Sequence, residues 1–485
     1  MALTSVLSAL GRGAFRRFST AAVGWEHCRS VPELIHAVQR HGALDKPAVD
    51  SLECKARQLL SGNLRDAAML ALMLHNLGGD AQQLLAEVPA AQDVADFDLF
   101  FRASAECGAS TPPSNAADVL SAPGALEKPR QVYNYLCGAC LFNSRGAALD
   151  LNQLLQRLSD MGCCHFSTLQ LLQMAAALAA LAAVEHGSSL DALCKEIYTR
   201  GLQDVHMADV IESMAQLSKH HQDPAMLAAF EKALLQHCTE RELPPAELCS
   251  ALYTISRYRR YDPLLMDRLA VNLRRDAGSY DLAQLARAVL ALSQIGYHNR
   301  SLVVLMGRMV LTLIDGDSTV DAQLLTNLYT GFSRFLHHGR LFTTFSEILR
   351  KEEVLADLQP SDAVAVVQSY ARVHVVDERL FSLFDAKLFS QPLNTTLSFK
   401  LLVAHGKLRY RNPRLQNALI NNINLQELDS SIQREKLKLA SERLGLFFPE
   451  LTDTAQEDEL PRITWRRLDP VRRRVPHVRR RKWTW

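Results

Sequence analysis

Apolar residues recur along most of this chain at the spacing of one face of an α-helix, in runs separated by short polar, Gly- or Pro-bearing stretches. No segment alternates β-branched and polar residues as a half-buried strand would. The most apolar run, residues 169–184, is rich in Ala and contains Gln170 and Gln173. It is therefore too short and too polar to cross a membrane. The pattern predicts an all-α chain without a transmembrane segment.

The stretch from Leu252 to Leu265 shows the unit that the chain repeats: the end of one helix, a corner, and the start of a second helix. A small residue, Ser256, is followed by a cation, Arg257, and then by an apolar residue. A turn-forming residue, Asp262, stands six positions after the small one. The unit, usually with the cation, recurs at the small residues Ser218, Ser256, Ser293, Ser333, Ala371 and Gly406, with the turn formers Asp223, Asp262, Asn299, Gly339, Asp377 and Asn412.

The small residues are separated by steps of 38, 37, 40, 38 and 35 residues, and the unit at Ser218 is one residue shorter than the others. A period of this length is the signature of a repeat solenoid, in which helix pairs bury their apolar faces against their neighbours. We expect the small residue to allow close approach of helices and the turn former to end the first helix. The sequence therefore predicts an α-solenoid of stacked antiparallel helix pairs, about 35–40 residues per repeat.

Charge is distributed unevenly along the chain. The net charge is +2, but residues 461–485 carry ten Arg or Lys against one Asp, and residues 1–22 carry three Arg and no acid. Subtracting these +9 and +3 contributions leaves −10 for residues 23–460. Arg12, Arg16 and Arg17 lie among Leu, Ala, Ser and Thr, the composition of a mitochondrial transit peptide. The alternative is an ordinary basic N-terminal arm. The expected location is the mitochondrial matrix.

Gly, Ser, Pro and Asn are concentrated in residues 108–130, which predicts a linker. The end of the chain has three prolines after position 460 and no helical periodicity, which predicts an extended segment. The predicted organisation is a presequence at 1–22, an N-terminal helical region at 23–107, a linker at 108–130, a helical-repeat array at 131–420, capping helices at 421–450 and an acidic-then-basic extended tail at 451–485.

Catalytic motifs are not evident in the sequence. It contains no Gly-rich phosphate loop, no HExxH, no GxSxG and no carboxylate pair at telling spacing. Cys137 and Cys140, with Cys163, Cys164 and His165 downstream, are residue types that bind zinc. They lie in helical context, however, where buried Cys is a common small core residue. We predict a non-enzymatic protein without a metal, cofactor or small-molecule substrate.

Cations follow the small residue in five of the six clear units. If the units stack in register, these side chains form a ladder that could follow an RNA backbone. The alternative is that each cation is solvated and favoured by the negative end of its helix dipole. The predicted RNA-binding residues of the repeats are Lys219, Arg257, Arg334, Arg372 and Lys407, together with Arg259, Arg260 and Arg409.

The C-terminal tail combines cations that neutralise phosphates with aromatic rings on which unpaired bases stack. The alternative is a solvated tail or one that binds an acidic protein. The predicted RNA-binding residues of the tail are Arg466, Arg467, Arg472, Arg473, Arg474, Arg479, Arg480, Arg481 and Lys482, with Trp465, Trp483 and Trp485.

The repeat units over about 131–420 resemble the helical repeats of organellar RNA-binding proteins, namely heptatricopeptide repeats and the related FAST-kinase-like helical region. The resemblance rests on the spacing and on a few residue classes. Many members end in a RAP domain, whereas here the basic tail stands in that position. The resemblance implies binding of mitochondrial RNA, and several such proteins belong to or assemble mitochondrial ribosomes.

We therefore expect a component or assembly factor of the mitochondrial ribosome, with ribosomal RNA and mitochondrial ribosomal proteins as partners. One alternative is a scaffold subunit of another mitochondrial complex, such as a respiratory or ATP-synthase assembly. The other is a free factor for transcript stability or processing.

Overall fold

A computed structural model describes residues 25, 28–41, 46–59, 64–86, 97–113, 116, 126–181, 187–275, 277–315, 320–337, 339–391, 393–428 and 431–446. Over these residues the chain consists of helices, turns and short connections, with no strand. The prediction of an all-α chain is confirmed. The chain divides into two compact units, an N-terminal unit ending at Tyr258 and a C-terminal unit beginning at Arg259.

Several helices of the N-terminal unit begin at a residue that favours a helix start. Ser167 and Asp223 are N-caps, and Pro224 follows Asp223 at the first helical position. The helices of this unit are α1 Val31–His41, α2 Lys46–Gln58, α3 Leu64–Asn76, α4 Ala81–Ala86, α5 Phe97–Glu106, α6 Pro129–Ser144, α7 Asn152–Met161, α8 Thr168–Ala180, α9 Gly187–Arg200, α10 Met207–His220, α11 Pro224–Glu240 and α12 Pro245–Tyr258.

The C-terminal unit has the same alternation of longer and shorter helices. They are α13 Pro263–Arg275, α14 Leu282–Ile295, α15 Arg300–Asp315, α16 Ala322–Arg334, α17 Arg340–Leu349, α18 Glu352–Asp357, α19 Pro360–Val373, α20 Glu378–Phe389, α21 Thr395–Leu408, α22 Pro413–Asn421 and α23 Ser431–Leu444. In addition, short 3-10 turns are present at Cys163–His165 and Leu425–Glu427.

In the N-terminal unit, the first helices of successive pairs contact one another in chain order: α3 with α5, α5 with α6, α6 with α8, α8 with α10, and α10 with α12. Helices on either side of the predicted linker at 108–130 are among these contacts. The rings of Phe101 in α5 and Phe142 in α6 lie 5.1 Å apart, and both side chains are fully buried. The apolar core therefore continues directly from α5 into α6.

The C-terminal unit is built in the same way, with α14 against α16, α16 against α19, α19 against α21, and α21 against α23. The predicted close approach at the small residues is evident at Gly406 in α21. A Cβ added there would lie 2.6 Å from the Cα of Ala440 in α23. The other small residues of the units are buried as well, among them Ser333 and Ala371.

The corner between paired helices differs from the expectation in one respect. The turn former does not end the first helix. Where it is Asp or Asn its side chain caps the second helix, whereas Gly339 stands at the same position without a side-chain cap. Asp262, Asn299 and Asp377 accept hydrogen bonds from the backbone N–H of the residue three positions on, at 3.0, 3.2 and 3.1 Å. Such a cap satisfies an N–H that has no partner within its helix.

The first helix is instead followed by a left-handed residue three positions after the small one, where the sequence shows no common residue type. Arg259, Gly296, Leu336, His374 and Arg409 all have φ between 54° and 80°. A left-handed residue is a common way to turn the chain out of a helix. In the unit at Ser218, the corresponding residue, His221, has φ −126°. That unit is one residue shorter, and it lacks the left-handed step.

Among the residues that the structure describes, no helix is long and apolar enough to cross a membrane. The predicted presequence and the predicted tail at 451–485 lie outside the described residues.

Candidate nucleic-acid interface

Two of the predicted corner cations reach back to the corner of the preceding repeat. In the N-terminal unit, Nη2 of Arg257 donates to the backbone carbonyl of Lys219 at 3.2 Å. In the C-terminal unit, Nη1 of Arg372 donates to Oγ of Ser333 at 3.2 Å and to Oγ of Ser369 at 3.4 Å. These cations link successive repeats and help hold their register, so part of their role is structural.

The other predicted residues of the corners differ in exposure. Lys219 is exposed and donates from Nζ to Oε1 of Gln216 at 2.7 Å. Arg259, Arg260 and Arg409 are exposed, whereas Lys407, in the last turn of α21, is half-buried.

Arg334 and Arg372 form a like-charged pair in the C-terminal unit. Burial and the neighbouring charge of Arg334 lower the pKa of the Arg372 guanidinium from its ordinary value to about 10. Burial and the charge of Arg259 likewise lower the pKa of Arg334. A nearby positive charge disfavours a second one, just as a nearby carboxylate would favour it. We call these three residues, Arg259, Arg334 and Arg372, the arginine row.

In the described part of the chain, acidic side chains do not neutralise the arginine row. No described carboxylate forms an ion pair with Arg334 or Arg372. Among the described residues the Arg334 guanidinium donates no hydrogen bond, and the Arg372 guanidinium donates only from Nη1. A guanidinium carries five N–H donors in a planar fork that matches phosphate oxygens. The row therefore presents several unused donors and an uncompensated positive charge.

Aromatic side chains adjoin the arginine row. Phe335 directly follows Arg334, and its ring lies 5.6 Å from that of the exposed His298 at an interplanar angle of 89°. The rings of Tyr261 and Tyr297 form a second edge-to-face pair, 6.0 Å apart. Cations and aromatic rings therefore occur together at these corners. His298 and Phe335 were not among the predicted site residues.

A second basic group lies at the last corner of the C-terminal unit. Burial and, to a smaller extent, the charge of Arg409 lower the pKa of Arg443, which stands in the last turn of α23. Arg443 was not among the predicted site residues. The sequence does contain a signal for it, since it is a cation in the last turn of the predicted capping helix. An open depression adjoins this corner, lined by Val376, Glu378, Ser382, Leu408, Arg409, Tyr410 and Arg411.

A buried polar cluster lies behind the Tyr410 corner. Oδ2 of Asp385 accepts hydrogen bonds from the Tyr410 hydroxyl at 2.9 Å and from Nδ2 of Asn412 at 2.7 Å. His405 is fully buried, with Nε2 4.0 Å from Oδ1 of Asp385. Neither ring nitrogen of His405 has a hydrogen-bond partner among the described residues. Burial lowers the pKa of this imidazole to about 3, so His405 is neutral.

The cysteines considered as zinc ligands are placed in two different settings. Cys137 and Cys140 are buried in α6, and burial raises the pKa of the Cys137 thiol to about 12. Cys164 is exposed on the 3-10 turn that follows α7. No group of three or more His, Cys, Asp or Glu side chains in the described part of the chain is arranged to hold a metal ion. A thiol must lose its proton to bind zinc, and burial opposes that loss at Cys137.

The RNA-binding residues predicted in the tail all lie beyond residue 446, outside the described part of the chain. They stay a prediction from the sequence, as does RNA contact by the corner cations.

No protein-family model matches this chain. No curated protein matches it in sequence.

Proposed function

We propose that this protein is a non-enzymatic RNA-binding protein of the mitochondrial matrix, and that it serves as a component or assembly factor of the mitochondrial ribosome. The observation that carries the proposal is the arginine row, in which the half-buried Arg334 and Arg372 lie near the exposed Arg259 with no carboxylate partner for the two half-buried groups among the described residues. Burying like charges is unfavourable unless an anion compensates them. RNA supplies such anions at regular spacing along its backbone.

The packing of first helices in each unit supports the finer architecture that we propose, an α-solenoid of antiparallel helix pairs. Each corner in such an array is exposed once per repeat, so residues at equivalent positions recur along an edge. A basic edge of this kind suits an extended polyanion better than a compact ligand. The resemblance to heptatricopeptide and FAST-kinase-like repeats supports the same class of ligand.

The sequence supports the compartment and the ribosomal assignment. Residues 1–22 have the composition of a transit peptide, and residues 461–485 combine ten cations with three of the four Trp. A body of net negative charge with a strongly basic, Pro-containing tail fits a protein whose tail enters ribosomal RNA. Such a tail is a poor fit to a scaffold that contacts only other proteins.

Sedimentation of mitochondrial lysate tests this proposal. We expect the protein to co-migrate with a ribosomal subunit on a sucrose gradient and to leave that fraction after RNase treatment. Co-migration with a respiratory or ATP-synthase complex, insensitive to RNase, would refute the RNA role. Migration as a small RNase-sensitive particle free of ribosomal proteins would assign it to transcript stability or processing.

Deletion of residues 461–485 tests the anchoring role of the tail. We expect the deleted protein to lose most of its ribosome association at about 150 mM salt, because about nine net positive charges are removed. A scrambled tail with the same composition is the control for charge alone. Unchanged association after deletion would assign binding to the repeat corners.

A further inference from the structure

We infer that the arginine row holds the phosphodiester backbone of an unpaired RNA stretch between Arg334 and Arg372, with a base stacked beside Phe335 and His298. This inference rests on the proposed RNA-binding function and specifies its site and the state of the RNA. Three features of the C-terminal unit carry it: the charges, the unused donors and the rings.

The charges favour an anion at this place. Arg372 donates a hydrogen bond to Ser333, the residue directly before Arg334, so the two guanidinium groups lie at one corner. Among the described residues, the one charged neighbour that shifts the pKa of each is another arginine. A bound phosphodiester would interact favourably with both groups at once, because each guanidinium can donate two parallel hydrogen bonds to phosphate oxygens.

The donors point to a ligand rather than to the protein. Arg372 uses Nη1 for two hydroxyl contacts at 3.2 and 3.4 Å, which leaves Nε and Nη2 without a described partner. Arg334 uses none of its donors among the described residues. Neither side chain has a nitrogen that is both fully buried and unpartnered. The unused N–H groups are therefore within reach of solvent, and of a phosphate.

The rings favour unpaired RNA over a duplex. Phe335 is half-buried and His298 is exposed, so an added base can reach the ring pair from solvent. Bases stack on protein rings only when they are released from pairing, whereas duplex RNA is recognised through its backbone and groove shape. An acidic protein segment would use the same arginines but would gain little from the rings.

The test uses the full-length protein and a fluorescent oligouridine of about 12 nucleotides, with binding measured by anisotropy between about 50 and 300 mM salt. The variants are Arg334→Gln and Arg372→Gln. Arg308→Gln is the matched control, because Arg308 is an exposed arginine of the same unit, on α15, away from the corners. We expect each row variant to reduce the steepness of the plot of log K, with K the association constant, against log salt by about 0.7. This is the single-strand value per phosphate contact. The control should keep the wild-type slope.

His298→Ala gives a second measurement that does not depend on charge. Since His298 is exposed, the variant should fold as the wild type does. We expect it to weaken oligouridine binding roughly fivefold to tenfold, within the range found for loss of one stacking partner. A duplex of the same length should bind the wild type more weakly than the single strand and should be insensitive to this variant. Circular dichroism checks that each variant is folded.

Several results would overturn the inference. One is equal binding of oligouridine by the two row variants, the control and the wild type. Another is equal affinity for duplex and single strand, and a third is arginine-dependent binding of polyglutamate in place of RNA. If the row variants keep full RNA affinity while the wild type still co-sediments with ribosomes, only this inference fails. If the wild type binds no RNA, the proposed function fails with it.

Discussion

Lowering the pH from about 7 to about 5 should destabilise the C-terminal unit, because burial opposes protonation of His405 in the folded state. The imidazole is fully buried, and its nearest carboxylate, Asp385, is already engaged by Tyr410 and Asn412. Burial depresses the folded-state pKa of His405 from its ordinary value of 6.5 to about 3. The unfolded chain therefore binds a proton below pH 6.5 that the folded chain does not bind.

The sign and size of the effect follow from proton linkage. Stability falls with decreasing pH wherever the unfolded state binds more protons, so the contribution of His405 is complete above pH 6.5 and is lost as the pH falls toward 3. Between pH 7 and 5 the loss is about 2 kcal/mol, from a limiting slope of about 1.4 kcal/mol per pH unit. Burial raises the pKa of Asp385, so the folded state takes up a proton there more readily than the unfolded state. This opposes the loss at the acidic end of the range.

Hydrogen exchange measured by mass spectrometry on peptides from α21 reports the local free energy of opening, after correction for the intrinsic rate at each pH. Between about pH 7 and 5, the local free energy of opening should fall by about 2 kcal/mol more in the wild type than in His405→Leu. His405→Leu should also protect α21 better at neutral pH, since it removes two buried nitrogens without partners.

Replacement of the exposed His220, as His220→Leu, is the control and should leave the pH dependence of α21 at its wild-type value. Parallel loss of protection by His405→Leu and the wild type as the pH falls would refute this prediction. Such a result would mean that His405 is accessible to protons in the folded protein.

Three further predictions concern the corners. Leu336→Gly should stabilise the protein by about 1 kcal/mol, because Leu336 is exposed and has a left-handed backbone conformation, and Gly296→Ala should destabilise it by a similar amount. The two variants should shift the melting temperature in opposite directions. Gly406→Ala should cost about 1–3 kcal/mol in urea unfolding, because its Cβ would meet the backbone of Ala440, and Ala440→Gly should rescue only part of the loss, since the backbone of α23 would still lie in the way. Asp377→Ala should cost about 2 kcal/mol by removing a helix cap and two hydrogen bonds of 2.7 Å from an arginine, while Asp377→Asn should retain the cap; denaturation that treats the two variants alike would contradict this assignment.

The repeat unit could be predicted from sequence because its determinants are local. A small residue, a cation and a capping side chain lie within seven positions, and Ser256 with Asp262 indicates a helix end and a helix start regardless of the rest of the chain. What local reasoning misassigned was the task of Asp262, which caps the second helix. The left-handed residue was missed because Arg259, Leu336, His374 and Arg409 are not residues that normally favour that conformation.

The candidate site depended on contacts that no local pattern contains. The sequence predicted Arg334 and Arg372 as separate site residues. Packing between repeats 38 residues apart brings Arg372 to Ser333, next to Arg334, and no local pattern specifies that contact. His298 and Phe335 come together in the same way, and so do Arg409 and Arg443.

By itself, the sequence determined the helical class, the repeat period and the positions of the corners, because helix periodicity and capping act over a few residues. The tertiary structure decided which charges lie side by side, which of them lack a carboxylate partner among the described residues, and that His405 is buried away from water. Burial and through-space electrostatics depend on neighbours contributed by other repeats, and the spacing along one chain does not specify which neighbours those are.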